Sequence, residues 1–170
     1  MRFLIDGYNL MHAAGMAVPD HSGSKAMESA RKRFLDWMAD SPAIRKATTP
    51  PRIRIIFDAQ NSHKDHGTHS YRGLATTFSF GETADDRIET IVSREPQPEK
   101  LQVVSNDHRL KLAARKAKCV PMSCEAFIDW LLATPTSPTL SKNPNAVAME
   151  KPNPSRADTD EFLDVFSKPK

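Results

Sequence analysis

With 170 residues, 19.0 kDa and a formal charge of +3, the chain is long enough for one ordinary core, and a second full domain is not expected. No stretch approaches the ~20 consecutive apolar residues of a membrane span, and the few apolar residues before Asp6 fall short of the ~7–15 of a secretory signal, so a soluble, cytoplasmic protein is the expectation. Cys119 and Cys124 are too few for a disulfide framework and read as two small buried hydrophobes.

Phe3 to Ile5 reads as a short buried strand that ends at Asp6-Gly7, and Asn9 as the start of the helix after it. Gly7 is expected to permit a tight exit from the strand. From Ser22 or Ser24 to Asp40, Met27, Ala30, Phe34, Trp37 and Met38 recur at helical spacing, with Arg31, Lys32 and Arg33 on the opposite face. Ser41-Pro42 ends that helix, and Thr48 to Pro51 marks a loop. Ile53 to Phe57 is the next β-rich run, and it too stops at an aspartate, Asp58.

A polar segment, Asn61 to Gly73, carries His63, Lys64, His66, His69, Tyr71 and Arg72 and reads as a loop. Ala75 to Phe80 forms a third strand. Thr83 then caps a helix whose core side holds Ala84, Ile88, Ile91 and Val92, and Pro96 and Pro98 close it. Leu101 to Val104 is a fourth strand, followed by Ser105-Asn106-Asp107 and a basic helix from His108 to Lys118. Cys119 to Met122 is a short fifth strand, and Ser123 caps a last helix through Leu132. Strands that alternate with helices predict an α/β fold, a three-layer sandwich around a mostly parallel sheet of about five strands.

The predicted globular domain covers residues 1–133. The tail from Thr134 holds six of the thirteen prolines, with Ser, Thr, Asn and Lys, and residues 134–157 read as a disordered linker. Residues 158–170 form a short amphipathic segment, with Phe162, Leu163 and Phe166 on one side of Asp158 to Phe166. That segment either packs on its own domain or docks on a protein or ribosome-associated partner.

Three buried-looking strands deliver an aspartate at or just past their ends: Asp6, Asp58 and Asp107. In a parallel α/β sheet such ends share one edge, where ligands bind near the point at which strand order reverses. Asp85 and Asp86 join from the first turn of a helix, where the dipole favours their ionised form. Each alone could be a turn or cap residue, and Thr83 to Asp86 resembles a capping box. Together, the carboxylates repel one another unless a hard cation intervenes, and oxygen-only donors point to Mg²⁺ or Mn²⁺ rather than zinc. Such an ion activates water and stabilises the leaving oxygen of a phosphodiester.

Charge partition supports the same substrate class. Residues 1–133 hold 19 Lys/Arg and 16 Asp/Glu; with Asp6, Asp58, Glu82, Asp85, Asp86 and Asp107 gathered in one site, the rest of the domain carries 19 basic against 10 acidic residues. An acidic hole in a basic surface suits a polyanion. Lys64 and Arg72 in the polar loop, and Arg109, Lys111 and Arg115 on the helix after Asp107, are the cations expected to hold RNA phosphates. The His63, His66 and His69 series has no cysteine or regular geometry behind it, which disfavours zinc. Ser105 has no histidine relay, and no glycine-rich nucleotide loop or Walker sequence is present. A phosphatase with an aspartyl nucleophile would carry a second acid where this chain has Tyr8.

Asp6-Gly7-Tyr8-Asn9, Phe57-Asp58-Ala59, Gly81 to Glu89 and Val104-Ser105-Asn106-Asp107, in this order and spacing, resemble the YacP-like NYN family of the PIN-like nuclease superfamily. The resemblance covers about residues 1–133. It implies a Rossmann-like, PIN-like sheet and metal-dependent endoribonuclease activity. By position, Asp6, Asp85, Asp86 and Asp107 match the family's metal-site acids, with Asn9, Asp58, Glu82 and Ser105 at or beside the site. The third motif offers Glu82, Asp85, Asp86 and Glu89 without saying which of them touch metal. The expectation is therefore an Mg²⁺- or Mn²⁺-dependent endoribonuclease, monomer or homodimer. Its rivals are a non-catalytic RNA-binding scaffold on the same fold and a nuclease acting on DNA.

Overall fold

The computed structural model describes residues 1–19, 23–58 and 67–133, all within one structural unit, Met1–Ser137. His63, Lys64, His66, the 134–157 linker and the Asp158 to Phe166 segment lie outside the described residues. Six strands form one sheet: β1 (Arg2–Asp6), β2 (Arg52–Asp58), β3 (Thr68–Tyr71), β4 (Leu74–Ser79), β5 (Leu101–Val104) and β6 (Val120–Met122), in the order β3-β4-β2-β1-β5-β6. All neighbours are parallel except β3 with β4.

Alternation along the strands builds two cores. Phe3, Ile5, Ile53, Ile55, Phe57 and Val104 face a layer made by α1 (Gly7–Ala13), α2 (Ser24–Asp40), the single turn α3 (Pro42–Arg45) and α6 (Cys124–Leu132). Leu4, Ile56, Leu101 and Val103 face α4 (Ala84–Ser93) and α5 (His108–Lys116) on the other side. Residues of opposite phase on one strand thus bury against different layers, which fixes each strand's register. Cys119 and Cys124 are free thiols inside these cores. None of the helices among the described residues is long and apolar enough to cross a membrane.

Two differences from the sequence reading have identifiable causes. The polar segment before Gly73 contains a strand, β3, which pairs antiparallel with β4 through an Arg72-Gly73 turn. Both turn residues have positive φ, 48° and 85°, as a tight hairpin of this twist demands. Arginine is an unusual residue there, and two carboxylates of α2 hold it. Its guanidinium meets Asp40 at 2.7 Å and Asp36 at 3.1 Å, while the Tyr71 hydroxyl donates to Asp36 at 2.7 Å. The hairpin is therefore tied to α2 by side chains over thirty positions away, a contact no local pattern announces.

Gly7 also has a different reason from the one expected. Its φ is not among the positive ones; a Cβ at this buried position would run into the ring of Phe57. Gly7→Ala is expected to lower stability by about 1–3 kcal/mol, the usual cost of overpacking. A urea denaturation midpoint checks this, and an unchanged midpoint would mean that the Phe57 ring yields freely.

Candidate active site

The chain leaves β1 for β2 and β4 on one side and returns to β5 and β6 on the other, so strand order reverses between β1 and β5. A crevice at that point, outside the carboxyl ends of the strands, is where open α/β sheets place ligands. Asp6 ends β1 there and is 7% exposed. It is itself the N-cap of α1, which begins at Gly7 rather than Asn9: Oδ1 accepts from the Asn9 backbone N–H at 3.1 Å. Oδ2 accepts from the Ser105 hydroxyl, at 3.3 Å, just beyond β5. The two bonds fix the carboxylate's orientation across the β1/β5 boundary.

Asp107 caps α5, its Oδ1 taking the Arg109 and Leu110 backbone N–H groups at 2.6 and 3.1 Å. Ser105 supports it from behind, its Oγ accepting from the Asp107 backbone N–H at 3.0 Å. Asp85 projects from the first turn of α4, half-buried and with no hydrogen bond among the described residues. The three carboxylates share one electrostatic neighbourhood. Burial first, then the charges of Asp85 and Asp107, push the Asp6 carboxyl above its ordinary value. Burial first, then Asp107, does the same to Asp85. Uncompensated negative charge has thus collected around the switch point.

Asp86 turns elsewhere. Its carboxylate meets the Arg109 guanidinium at 2.6 Å, and that contact holds its pKa below the ordinary carboxylate value. Arg109 also binds Glu89 at 2.7 Å, so this cation, expected to contact RNA, bridges two acids of α4. Thr83 caps α4 through the Asp86 backbone N–H at 3.1 Å. Glu82 pairs with Arg87 at 3.3 Å. Asp58 ends β2, opposite Ser79 of β4. Arg72 is committed to α2, whereas Lys111 and Arg115 form no ion pair among the described residues.

Asn9 acts through its side chain in a way the sequence did not indicate. Its Oδ1 accepts from the Asn106 backbone N–H at 3.1 Å, tying α1 to the β5–α5 loop. Asn106, overlooked in the sequence, locks the same loop: its Oδ1 accepts from the Cys124 N–H at 3.0 Å and its Nδ2 donates to Glu125 at 2.7 Å. Both asparagines hold the loop that presents Ser105 and Asp107. The nearby Cys124 thiol is pushed up to about 12 by burial and then by Asp6, so it stays protonated and inert.

The donor set around Asp6 is all carboxylate oxygen, the chemistry of a hard divalent cation. Among the described residues, no group of three or more His, Cys, Asp or Glu side chains stands placed to hold a metal ion by itself. A cation that keeps several of its waters, as Mg²⁺ does, needs only one or two direct carboxylates, so the donors fit it without a preformed cage.

The sequence profile of the YacP-like NYN domain matches residues 3–162, continuing past residue 133. The fold is similar to the crystal structure of Rae1 (YacP) from Bacillus subtilis, with a TM-score of 0.55, 22% identity, and 77% of this chain and 73% of that one covered. A crystal structure of a mutant of the same protein gives 0.53, 22%, 76% and 74%. No curated protein matches the chain.

Proposed function

The chain belongs to the YacP-like NYN domain family, whose fold is of the nuclease type, and on that premise we propose that it is a divalent-metal-dependent endoribonuclease. The observation that carries the proposal is the buried Asp6 at the β1/β5 switch point, its carboxyl raised by burial and by Asp85 and Asp107. Such repulsion is relieved by a proton or by a positive ligand, and oxygen donors select Mg²⁺ or Mn²⁺ as that ligand.

In this reading Asp6, Asp85 and Asp107 would hold the ion, one or two of them directly and the rest through its waters. The chemistry such an ion supplies is Lewis acidity toward a phosphoryl oxygen and the acidification of water. The protein's part is orientation. Ser105 and the Asn9 N–H aim Asp6, and the two N–H groups of α5 leave the second oxygen of Asp107 for other partners. Asn9 and Asn106 brace the loop between them. Arg109 keeps Asp86 and Glu89 paired and limits the charge left uncompensated in the site. Lys111 and Arg115 lie on the helix that Asp107 starts, where cations attract the backbone of RNA.

Labelled RNA and DNA incubated with the full chain in Mn²⁺, Mg²⁺ or EDTA test the proposal. RNA cleavage in either metal and none in EDTA is the expected result. Cleavage that survives EDTA would sink the metal mechanism, RNA binding without cleavage would favour a scaffold, and faster cleavage of DNA would move the substrate.

A further inference from the structure

Three guanidinium groups of the domain differ in what holds them. Arg72 is spent on Asp36 and Asp40, and Arg109 on Asp86 and Glu89. Arg31, from the middle of α2, has no carboxylate partner among the described residues. Aromatic groups hold it instead. Its Nη1 donates to the Tyr8 hydroxyl at 3.2 Å, and its Cζ lies 4.9 Å from the centroid of the Phe78 ring. A ring face attracts a cation without neutralising it, so the charge stays available.

This aromatic bed is continuous with the strand ends that carry the acids. Tyr8 stands in the first turn of α1, two residues after Asp6, and packs edge-on against Phe57. Phe78 stacks on Phe57, and the two are register partners one position before Asp58 and Ser79. The sheet order β4-β2-β1-β5 then puts Asp6 between this bed, on the β4 side, and the start of α5, beyond β5. Lys111 and Arg115 stand on α5, so unpaired cations occur on both flanks of the acids.

Arg31 and Tyr8 have donors left over. Of the five guanidinium N–H groups, one is used among the described residues. The Tyr8 hydroxyl accepts that bond, and its own proton has no acceptor among them. Both side chains are half-buried, so these donors are already partly removed from water and held in place. Arg33 carries the same charge two residues further along α2, but it is exposed and touches neither Tyr8 nor Phe78.

We propose that Arg31 and Tyr8 form a phosphate subsite that holds the RNA strand on the α2 flank of the acidic site, opposite the cations of α5. The proposal rests on the nuclease reading and adds a path for the substrate, across the carboxyl ends of β4, β2, β1 and β5. A planar fork of N–H donors beside a hydroxyl matches phosphate oxygens, which only accept. A cation on this flank also offsets the repulsion between the phosphates and the carboxylates next to them. Contacts to phosphate carry no sequence information, so the subsite positions the strand without choosing its bases.

Fluorescence anisotropy of the full chain with labelled oligouridylate and oligoadenylate, in EDTA and in Ca²⁺ over a range of salt, tests this. Arg31→Ala is expected to weaken binding of both RNAs about tenfold, the scale of one charge-assisted contact, and to lower the salt slope by about one ion. Arg31→Lys should keep the slope and recover only part of the affinity, because an ammonium lacks the fork. Tyr8→Phe keeps the ring against Phe57 and should weaken binding about threefold, the scale of one modest hydrogen bond, with the slope unchanged. Arg33→Ala should alter neither affinity nor slope. If circular dichroism shows that Arg31→Ala has lost its fold, Tyr8→Phe decides alone. Unchanged binding in Arg31→Ala or in Tyr8→Phe, an equal loss in Arg33→Ala, or a loss confined to one of the two RNAs overturns the subsite and leaves the nuclease reading standing. No RNA affinity of the wild type in either condition overturns both.

Discussion

Asp6→Asn is expected to lower RNA cleavage in Mn²⁺ by at least ~100-fold, since loss of groups that merely support a metal ligand already costs 10–100-fold. The same substitution should raise the stability of the metal-free protein. Asparagine is as good an N-cap as aspartate, so its Oδ1 keeps the bond from the Asn9 N–H, and its Nδ2, in the place of the second carboxylate oxygen, can donate to the Ser105 hydroxyl oxygen. What disappears is the charge.

The pH dependence has a definite sign. Burial, Asp85 and Asp107 place the Asp6 carboxyl above its ordinary 3.8, so the folded protein holds that proton more tightly than the unfolded chain does. The stabilisation is complete below the unfolded value and is lost as pH rises through the folded one. Beyond it, ionised Asp6 works against folding, whereas asparagine carries no charge at any pH. The stability gap in favour of the variant should therefore open as pH rises from about 4 and then level off, and added Mn²⁺ should close it by binding the wild type alone. Thermal unfolding from pH 4 to 8, with and without Mn²⁺, measures this. Full activity, or a variant less stable than the wild type at pH 7 without metal, would remove Asp6 from the centre of the mechanism.

How much of this site could be read from the chain alone differs by residue. Asp6, Asp85 and Asp107 were legible because strand ends and helix starts are local patterns, and parallel topology sends such ends to one edge. Thr83 and Ser123 were legible as caps for the same reason. The partners of the basic residues were not. Arg72 and Arg109 look alike as isolated cations on a polar segment. Only the packing of β3 on α2 and of α4 on α5 brings two carboxylates to each. The side-chain bonds of Asn9 and Asn106 escaped because a side chain that accepts a backbone N–H 97 or 18 residues away leaves no periodic trace. The sixth strand was hidden by an arginine in a left-handed turn, a choice made tolerable by distant aspartates rather than by local propensity.

The adjacent pair on α4 gives the last test. Sequence alone treats Asp85 and Asp86 as equivalent acids in the first turn, yet their surroundings are opposite. Asp86 accepts from Arg109, and its carboxyl is held below the ordinary range. Asp85 has no hydrogen-bond partner among the described residues and is raised by burial and by Asp107. A group destabilised as an anion gains most from a cation, so Asp85 is the metal ligand expected of the pair. Asp85→Asn should therefore cost at least ~100-fold in cleavage rate, above the 10–100-fold range for supporting groups, while Asp86→Asn should cost less than ~10-fold. Isothermal titration of Mn²⁺ separates binding from turnover: affinity should fall in the first variant and hold in the second. The reverse order would mean that Arg109 releases Asp86 when the ion arrives, and that the ion pair seen here belongs to the metal-free state.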